Sequence, residues 1–258
     1  MTIKSIEETV EQTKCEKCGQ DLFIVSPDGK KFKCLCKCQK EAMLQAELDI
    51  QRKQHDYQVA QKKTCSLLGK RYANATFETA QIDANNEQAY KIAQSYCDKY
   101  KEMLDKGFGF YVCGPVGTGK THLLACVCNY LTERLQDCSF TNFMNICNEI
   151  KQTYNSSAST ENVLDKYSKM PFLFIDDLGK ESYKKANGDA GWLDEQLFLI
   201  LNNRYNNMLP TFFSSNYDIE EFVTEFGFDN AIIDRIKAMA TRIINLKGEN
   251  RRNGNGFE

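Results

Sequence analysis

The stretch CGPVGTGKTHLL, residues 113–124, decides the fold. Gly114, Gly119, Lys120 and Thr121 fill the pattern GxxxxGK[ST], whose chance occurrence in a chain of this length is on the order of one percent. An apolar run, FGFYVCG (108–114), precedes it, and a helical pattern, THLLACVCNYLTERL, follows it. A strand, a glycine-rich turn and a helix in that order form a phosphate cradle. The glycines let backbone N–H groups close around the anion, and the helix N-terminus adds its positive end. Lys120 is expected to reach the β- and γ-phosphates, and the Thr121 hydroxyl to ligate Mg²⁺. Gly114, Pro115, Val116, Gly117, Thr118, Gly119, Lys120, Thr121 and His122 are the candidate nucleotide-binding residues.

The same alternation continues downstream. After the first strand and helix come CSFTNFM (138–144) and a helix, MPFLFIDDLG (170–179) and DEQLFLILNNRY, PTFFSSN (210–216) and IEEFVTEF, and TRIINLKG (241–248). Short apolar strands separated by amphipathic helices predict an α/β fold, a doubly wound parallel sheet of five strands covered on both faces. NSSAST (155–160) and YKKANGDAG (183–191) read as exposed loops.

Ligands of open α/β sheets bind beyond the C-terminal ends of the strands. FLFIDDLG places two carboxylates there. Asp176 is expected to hold Mg²⁺, directly or through water, and Asp177 to orient the attacking water. Asn216 ends the PTFFSSN strand, where its amide meets the water or the γ-phosphate. Arg235, in the helical NAIIDRIKAM, and Arg251 and Arg252, in KGENRR, supply forked cations suited to a transferring phosphoryl group.

Composition bounds the rest. The chain has 258 residues, 42% of them hydrophobic, and a formal net charge of −2. It contains no run of 18 apolar residues, and MTIKSIEETVEQ carries no apolar signal segment. The expectation is a soluble, cytoplasmic protein without a membrane segment. Residues 1–70 carry 13 Lys/Arg against 10 Asp/Glu and the remainder 20 against 25, so neither part binds polyanions by charge alone. Any nucleic-acid site must be local, and Lys184 and Lys185 are candidates.

Five of the 12 cysteines fall between residues 15 and 38. The others, such as Cys113, Cys126, Cys128 and Cys147, read as small buried hydrophobes. The cluster C15-x2-C18-G-x14-C34-x-C36-x-C38 has zinc-knuckle spacing, since the glycine lets backbone amides turn toward the sulfurs. Five thiols compete for four places. Cys15, Cys18, Cys36 and Cys38 are preferred, with Cys34 as alternate, because a helix beginning near Gln39 would stabilise thiolates at its start. Residues 39–68 lack Gly and Pro and read as a helix with a thin seam: Met43, Ala46, Ile50, Lys53, Tyr57, Ala60, Thr64 and Leu67. Such a helix serves either as a solvated connector or as a docking element.

Together GPVGTGKTHLL, FLFIDDLG, LNNRY, PTFFSSN, IIDRI and GENRR, in that order, resemble the P-loop AAA+ ATPases of the DnaC/DnaI type, replicative-helicase loaders of bacteria and phages. LLGKRYANATFE resembles the start of that ATPase domain, and the likeness covers about residues 67–252. It implies a zinc-binding module at 1–40, a linker helix at 41–68 that docks on the helicase, and an AAA+ domain at 69–258. It implies Asn216 as first sensor and Arg235 as a finger entering a neighbour's ATP site, so that copies assemble into a ring or spiral. Arg252, five positions into the Gly248–Arg252 pattern, would be the second sensor. The cofactors are then ATP/ADP, Mg²⁺ and Zn²⁺, and the partners a hexameric helicase of the DnaB type and single-stranded DNA. ATP would act as the switch between assembly and release. Asp177 stands where AAA+ motors usually carry Glu, which suggests slow hydrolysis. NGNGFE, after Arg252, is too short for a helical lid or a duplex-reading domain. The alternative is an IstB-like transposition-accessory ATPase that binds duplex DNA, which the cysteine module disfavours.

Overall fold

The computed structural model describes residues 13–154, 159–179, 190–221 and 229–251. They divide into two compact units, Met1–Tyr57 and Gln58–Glu258. In the first, strands β1 (Phe23–Val25) and β2 (Lys31–Lys33) form an antiparallel hairpin with Ile24 opposite Phe32. Its buried core is Cys15, Leu22 and Cys36, with Phe23 and Cys38 packed against it. Helix α1 (Lys37–Cys65) begins in this unit and ends in the second. None of its residues is buried, and Met43, Ile50 and Tyr57 of the seam are exposed.

The second unit follows the alternation read from the sequence. After α2 (Glu87–Asp98) and α3 (Tyr100–Asp105) come β3 (Gly109–Cys113), α4 (Lys120–Glu133), β4 (Cys138–Asn142), α5 (Phe143–Thr153) and α6 (Thr160–Lys169). Then follow β5 (Phe172–Leu178), α7 (Ala190–Asn206), β6 (Thr211–Ser215), α8 (Asn230–Met239) and β7 (Ala240–Asn245). Strands β3 to β7 form one sheet in the order β4-β5-β6-β3-β7, parallel at every pairing.

Strand periodicity sends alternate residues to opposite cores. Phe110 and Val112 of β3 join one core with α2 and α4. Tyr111 and Cys113 join the other with α5, α6, α7 and α8. On the α4 side, Phe140, Phe174, Phe212 and Phe110 line up across four strands. Successive ring centroids are 5.6, 4.3 and 4.9 Å apart, two of the contacts stacked and the last edge-on. Such pairs add about 0.5–1.5 kcal/mol each beyond their buried area. Cys97, Cys113, Cys126, Cys128, Cys138 and Cys147 are buried as the hydrophobe reading requires. Cys65, at the end of α1, is exposed and departs from it. The helix expected over IEEFVTEF and the loops holding Lys184 and Lys185 lie largely or wholly outside the described residues.

Arg204, near the end of α7, is fully buried. Burial pulls its pKa below the ordinary guanidinium value. The cation is kept by its geometry: Nη1 donates to Tyr167 O at 2.8 Å and Met170 O at 2.6 Å, Nη2 to Pro210 O at 2.7 Å, and Nε to Thr211 Oγ1 at 2.8 Å. One side chain thus ties the end of α6, the start of β6 and α7. Replacing it by Leu keeps much of the volume and leaves three buried carbonyls without their donor. Arg204→Leu is expected to destabilise the second unit by about 3 kcal/mol or more, read from urea unfolding followed by the fluorescence of the single tryptophan, Trp192.

Candidate nucleotide site and cysteine centre

Strand β3 ends at Cys113, and the chain turns through Gly114, Gly117 and Gly119, all at positive φ. Only glycine fits two of these turns. A Cβ at Gly114 would lie 2.1 Å from Leu246 O, and one at Gly117 would lie 2.0 Å from Asn250 Oδ1. Gly119, at φ 101°, caps α4, so Lys120 and Thr121 open that helix. The turn lies where the sheet order reverses, between β6 and β7, the switch point at which such sheets bind ligands.

Lys120 is only 6% exposed. Its Nζ donates to Gly114 O, Pro115 O and Asn216 Oδ1, each at 2.8 Å. Thr121 Oγ1 donates to the Asp176 carboxylate at 3.0 and 3.2 Å. The Ser214 hydroxyl donates to the same carboxylate and accepts from the Asp177 amide at 3.0 Å. The pairing of β5 with β6 shifts register between Ile175 and Leu178. Asp177 sits in that bulge at φ 54°, a conformation that Asp tolerates and most residues do not. Bulges of this kind re-aim side chains beside active sites, and Asp177 lines the cavity here.

The cavity has a volume of about 400 Å³ and is lined by Val116 and residues 117–122 of the loop, Asp177 and Asn216. Of the loop candidates, Gly114 and Pro115 contribute their carbonyls to Lys120. His122 lines the cavity with its Nδ1 2.9 Å from the Tyr90 hydroxyl, and burial lowers its pKa, which favours the neutral ring. The Thr121 hydroxyl and the Asp176 carboxylate are hard oxygen donors about 3 Å apart. Neighbouring ligands of octahedral Mg²⁺ have about that spacing, so the pair fits the ion.

The sequence reading missed part of this site. Arg71, Tyr72, Thr79, Asn86 and Tyr90 also line the cavity, brought there by the segment before β3. Arg251 lines it as well. Its amide donates to Gly117 O at 3.0 Å, its Nη1 to Gln81 O at 2.9 Å, and its Nη2 pairs with Asp83. It is the neighbour of Arg252, the expected second sensor, which lies outside the described residues. The doublet in KGENRR was the available signal, and spacing alone did not single out Arg251. Arg235 does not line this cavity. It lies on α8, half-buried against α7.

In the first unit Cys15, Cys18, Cys36 and Cys38 bring their sulfurs within 4.8 Å of one another. Cys36 and Cys38 are 3.1 Å apart, and Cys15 and Cys38 3.4 Å. Tetrahedral zinc with Zn–S bonds of about 2.3 Å requires sulfurs about 3.8 Å apart, so four thiolates in this arrangement fit the ion. Cys34 turns away and points its sulfur at Asp21 O, 3.5 Å off. Gly19, at φ 72°, makes the knuckle turn. The Cys18 amide, the Cys36 and Cys38 thiols and the Lys17 amide lower the Cys15 pKa to about 6. Burial pushes the Cys36 thiol up, and hydrogen bonds with Cys36 and Cys15, followed by burial, push up that of Cys38.

Comparison with known proteins places this geometry. The model of the bacterial DnaA ATPase domain matches residues 69–240. The replicative helicase loader DnaI of Bacillus subtilis is 30% identical over 225 residues, covering 82% of this chain and 68% of the relative. The replicative helicase loader DnaC of Escherichia coli is 26% identical over 170 residues, 64% of each chain. The crystal structure of DnaI superimposes with a TM-score of 0.60 at 28% identity, covering 74% of this chain and 99% of that one. The five-stranded α/β sheet is therefore that of an AAA+ ATPase, and no helix among the described residues is long and apolar enough to cross a membrane.

The cysteine geometry generates a direct test. The purified chain is expected to hold one zinc ion, measured by plasma mass spectrometry. Cys36→Ser should lose it, whereas Cys34→Ser should keep it.

Proposed function

The chain belongs to the bacterial DnaA ATPase-domain family and is homologous to the replicative helicase loaders, and from that premise we propose that it loads a hexameric replicative helicase onto single-stranded DNA under the control of ATP. The observation that carries the reading is the convergence of Lys120, Thr121, Asp177 and Asn216 on one cavity at the sheet's switch point, with the Asp176 carboxylate bonded to Thr121. That set, in that order along the chain, is what hydrolysis of a nucleoside triphosphate needs.

Each residue has a role in this reading. The loop amides and Lys120 hold the triphosphate. Lys120 exchanges its carbonyl acceptors for phosphate oxygens, and Asn216, now bonded to it, senses the change. Thr121 and Asp176 would hold Mg²⁺, which neutralises developing charge between the β- and γ-phosphates. Asp177 orients water for in-line attack, and its short carboxylate suits slow turnover. Arg235 completes the site of a neighbouring copy, so that ATP favours the assembled, DNA-bound form and hydrolysis to ADP releases it. Arg252, the next residue in the sequence after Arg251, is the second sensor in this reading.

The four-cysteine centre would hold Zn²⁺ and fix the hairpin unit, whose core among the described residues is very small, three buried side chains. This unit and α1 would meet the DnaB-type helicase. The exposed Met43, Ile50 and Tyr57 of α1 are apolar area that its own fold leaves uncovered.

The test is light scattering on size-exclusion fractions of the full chain mixed with the replicative helicase of its genome. A defined complex is expected with ATP and Mg²⁺. Ile50→Asp, on the exposed α1 seam, should weaken it at least tenfold. A chain that forms no such complex, yet gathers on duplex DNA with ATP, would move the function to transposition-type ATPases.

A further inference from the structure

In the LNNRY stretch, residues 201–205, the buried Arg204 has polar neighbours on α7. Asn202 and Tyr205, the residues two before and one after Arg204, both reach Arg235. The Arg235 guanidinium lies over the Tyr205 ring, 4.5 Å from its centroid. Its Nε donates to Asn202 Oδ1 at 3.1 Å. Neither terminal nitrogen, Nη1 nor Nη2, is bonded to a described residue.

That pattern differs from a surface arginine in three ways. The ring face attracts the cation through its quadrupole, with Cζ 4.5 Å from the centroid. The Asn202 amide oxygen takes Nε and so restrains the guanidinium at a second point. Among the described residues nothing takes the two terminal nitrogens, which form the fork that binds two oxygens of a carboxylate or phosphate at once. A long side chain normally loses much rotamer freedom when it binds. Here that loss is taken on folding, before any partner arrives.

The support beneath Asn202 and Tyr205 is rigid. Arg204 lies between them on α7 and is fixed by four hydrogen bonds to the end of α6 and the start of β6. Leu197, Ile200 and Leu201 of the same helix are fully buried, as are Ile232, Ile233 and Ile236 of α8 nearly so, in one shared core. The α7–α8 packing therefore sets where the fork stands relative to the sheet.

We propose that Tyr205 and Asn202 are positioning residues that hold Arg235 as a preorganised fork for the γ-phosphate bound by a second copy of this chain. This rests on the reading of Arg235 as a residue acting between copies. LNNRY then has a division of labour: Arg204 fixes the helix, and its two neighbours aim the arginine of α8. No bond is made or broken by either positioning residue. Their effect is on the geometry in which Arg235 meets the transferring phosphoryl group.

The test is steady-state ATP hydrolysis by the full chain with Mg²⁺ and single-stranded DNA. Tyr205→Leu is expected to lower kcat about tenfold or more with the KM for ATP changed less than about twofold, since the variant's own phosphate loop is intact. Tyr205→Phe, which keeps the ring face, should recover most of the rate. Asn202→Ala should lie between. Tyr205 is 42% exposed, so the melting temperature should hardly move.

A mixing experiment separates positioning from damage. Lys120→Ala cannot hold ATP but carries an intact Arg235 and Tyr205. Mixed in equal amounts with Tyr205→Leu, it should lend its fork to the other's ATP site, and the mixture should hydrolyse faster than the two variants do apart. A slow Tyr205→Leu that mixing does not rescue overturns the proposal, because the defect then lies in its own subunit. A Tyr205→Leu as fast as wild type beside an impaired Arg235→Ala also overturns it, and leaves Arg235 acting between copies. An Arg235→Ala as fast as wild type removes that reading, and the positioning role falls with it.

Discussion

The ammonium of Lys120, almost wholly buried and held by Gly114 O, Pro115 O and Asn216 Oδ1, is the interaction on which the second unit's site depends. It ties three elements with one side chain. Reaching back to Gly114 and Pro115 closes the turn after β3. Reaching across to Asn216 ties that turn to the end of β6. This is possible only if β6 lies beside β3, as the parallel register Tyr111 with Phe213 through Cys113 with Ser215 provides. On the other flank, Leu246 O crowds Gly114 and the Asn250 side chain crowds Gly117. The loop is therefore shaped from both sides before any phosphate enters, so little ordering remains to oppose binding.

The two cores hold the sheet in that register in different ways. On the α2–α4 side, the row Phe140, Phe174, Phe212 and Phe110 makes adjacent strands share one aromatic layer. A one-residue slip would turn each ring to the opposite face. On the other side Arg204 fastens the edge of the core with hydrogen bonds in place of area. Carboxylates, amide and arginine are thus set at one end of the sheet by packing that lies well away from them.

Much of this was legible in the sequence. The phosphate loop, the strand ending in Asp176 and Asp177, and Asn216 after PTFFSSN each join a local pattern to a chemical type, and local patterns survive folding. Spacing left five thiols for four places and the helix expected near Gln39 set the preference, but only the turn of the chain, which sends Cys34 toward Asp21, separates it from Cys36 and Cys38. The hairpin strands FIV and KFK are too short and too exposed to signal themselves. Nothing in the sequence marks Arg204 as buried, because its acceptors, Tyr167, Met170 and Pro210, are remote or irregular in sequence. Arg251 reads as a companion of Arg252 because its place in the cavity depends on the loop holding Gln81 and Asp83. For Cys34, Arg204 and Arg251 the partners include backbone oxygens, which composition and periodicity do not register.

In the reading proposed for this chain, the nucleotide held by Lys120 governs association between copies through Arg235. Sedimentation velocity of the full chain checks this, with Mg²⁺ and either a non-hydrolysable ATP analogue, ADP or no nucleotide. A larger assembly is expected with the ATP analogue alone, absent in Arg235→Ala. The same sedimentation coefficient in all three conditions, across the concentrations at which the analogue saturates the site, would contradict it.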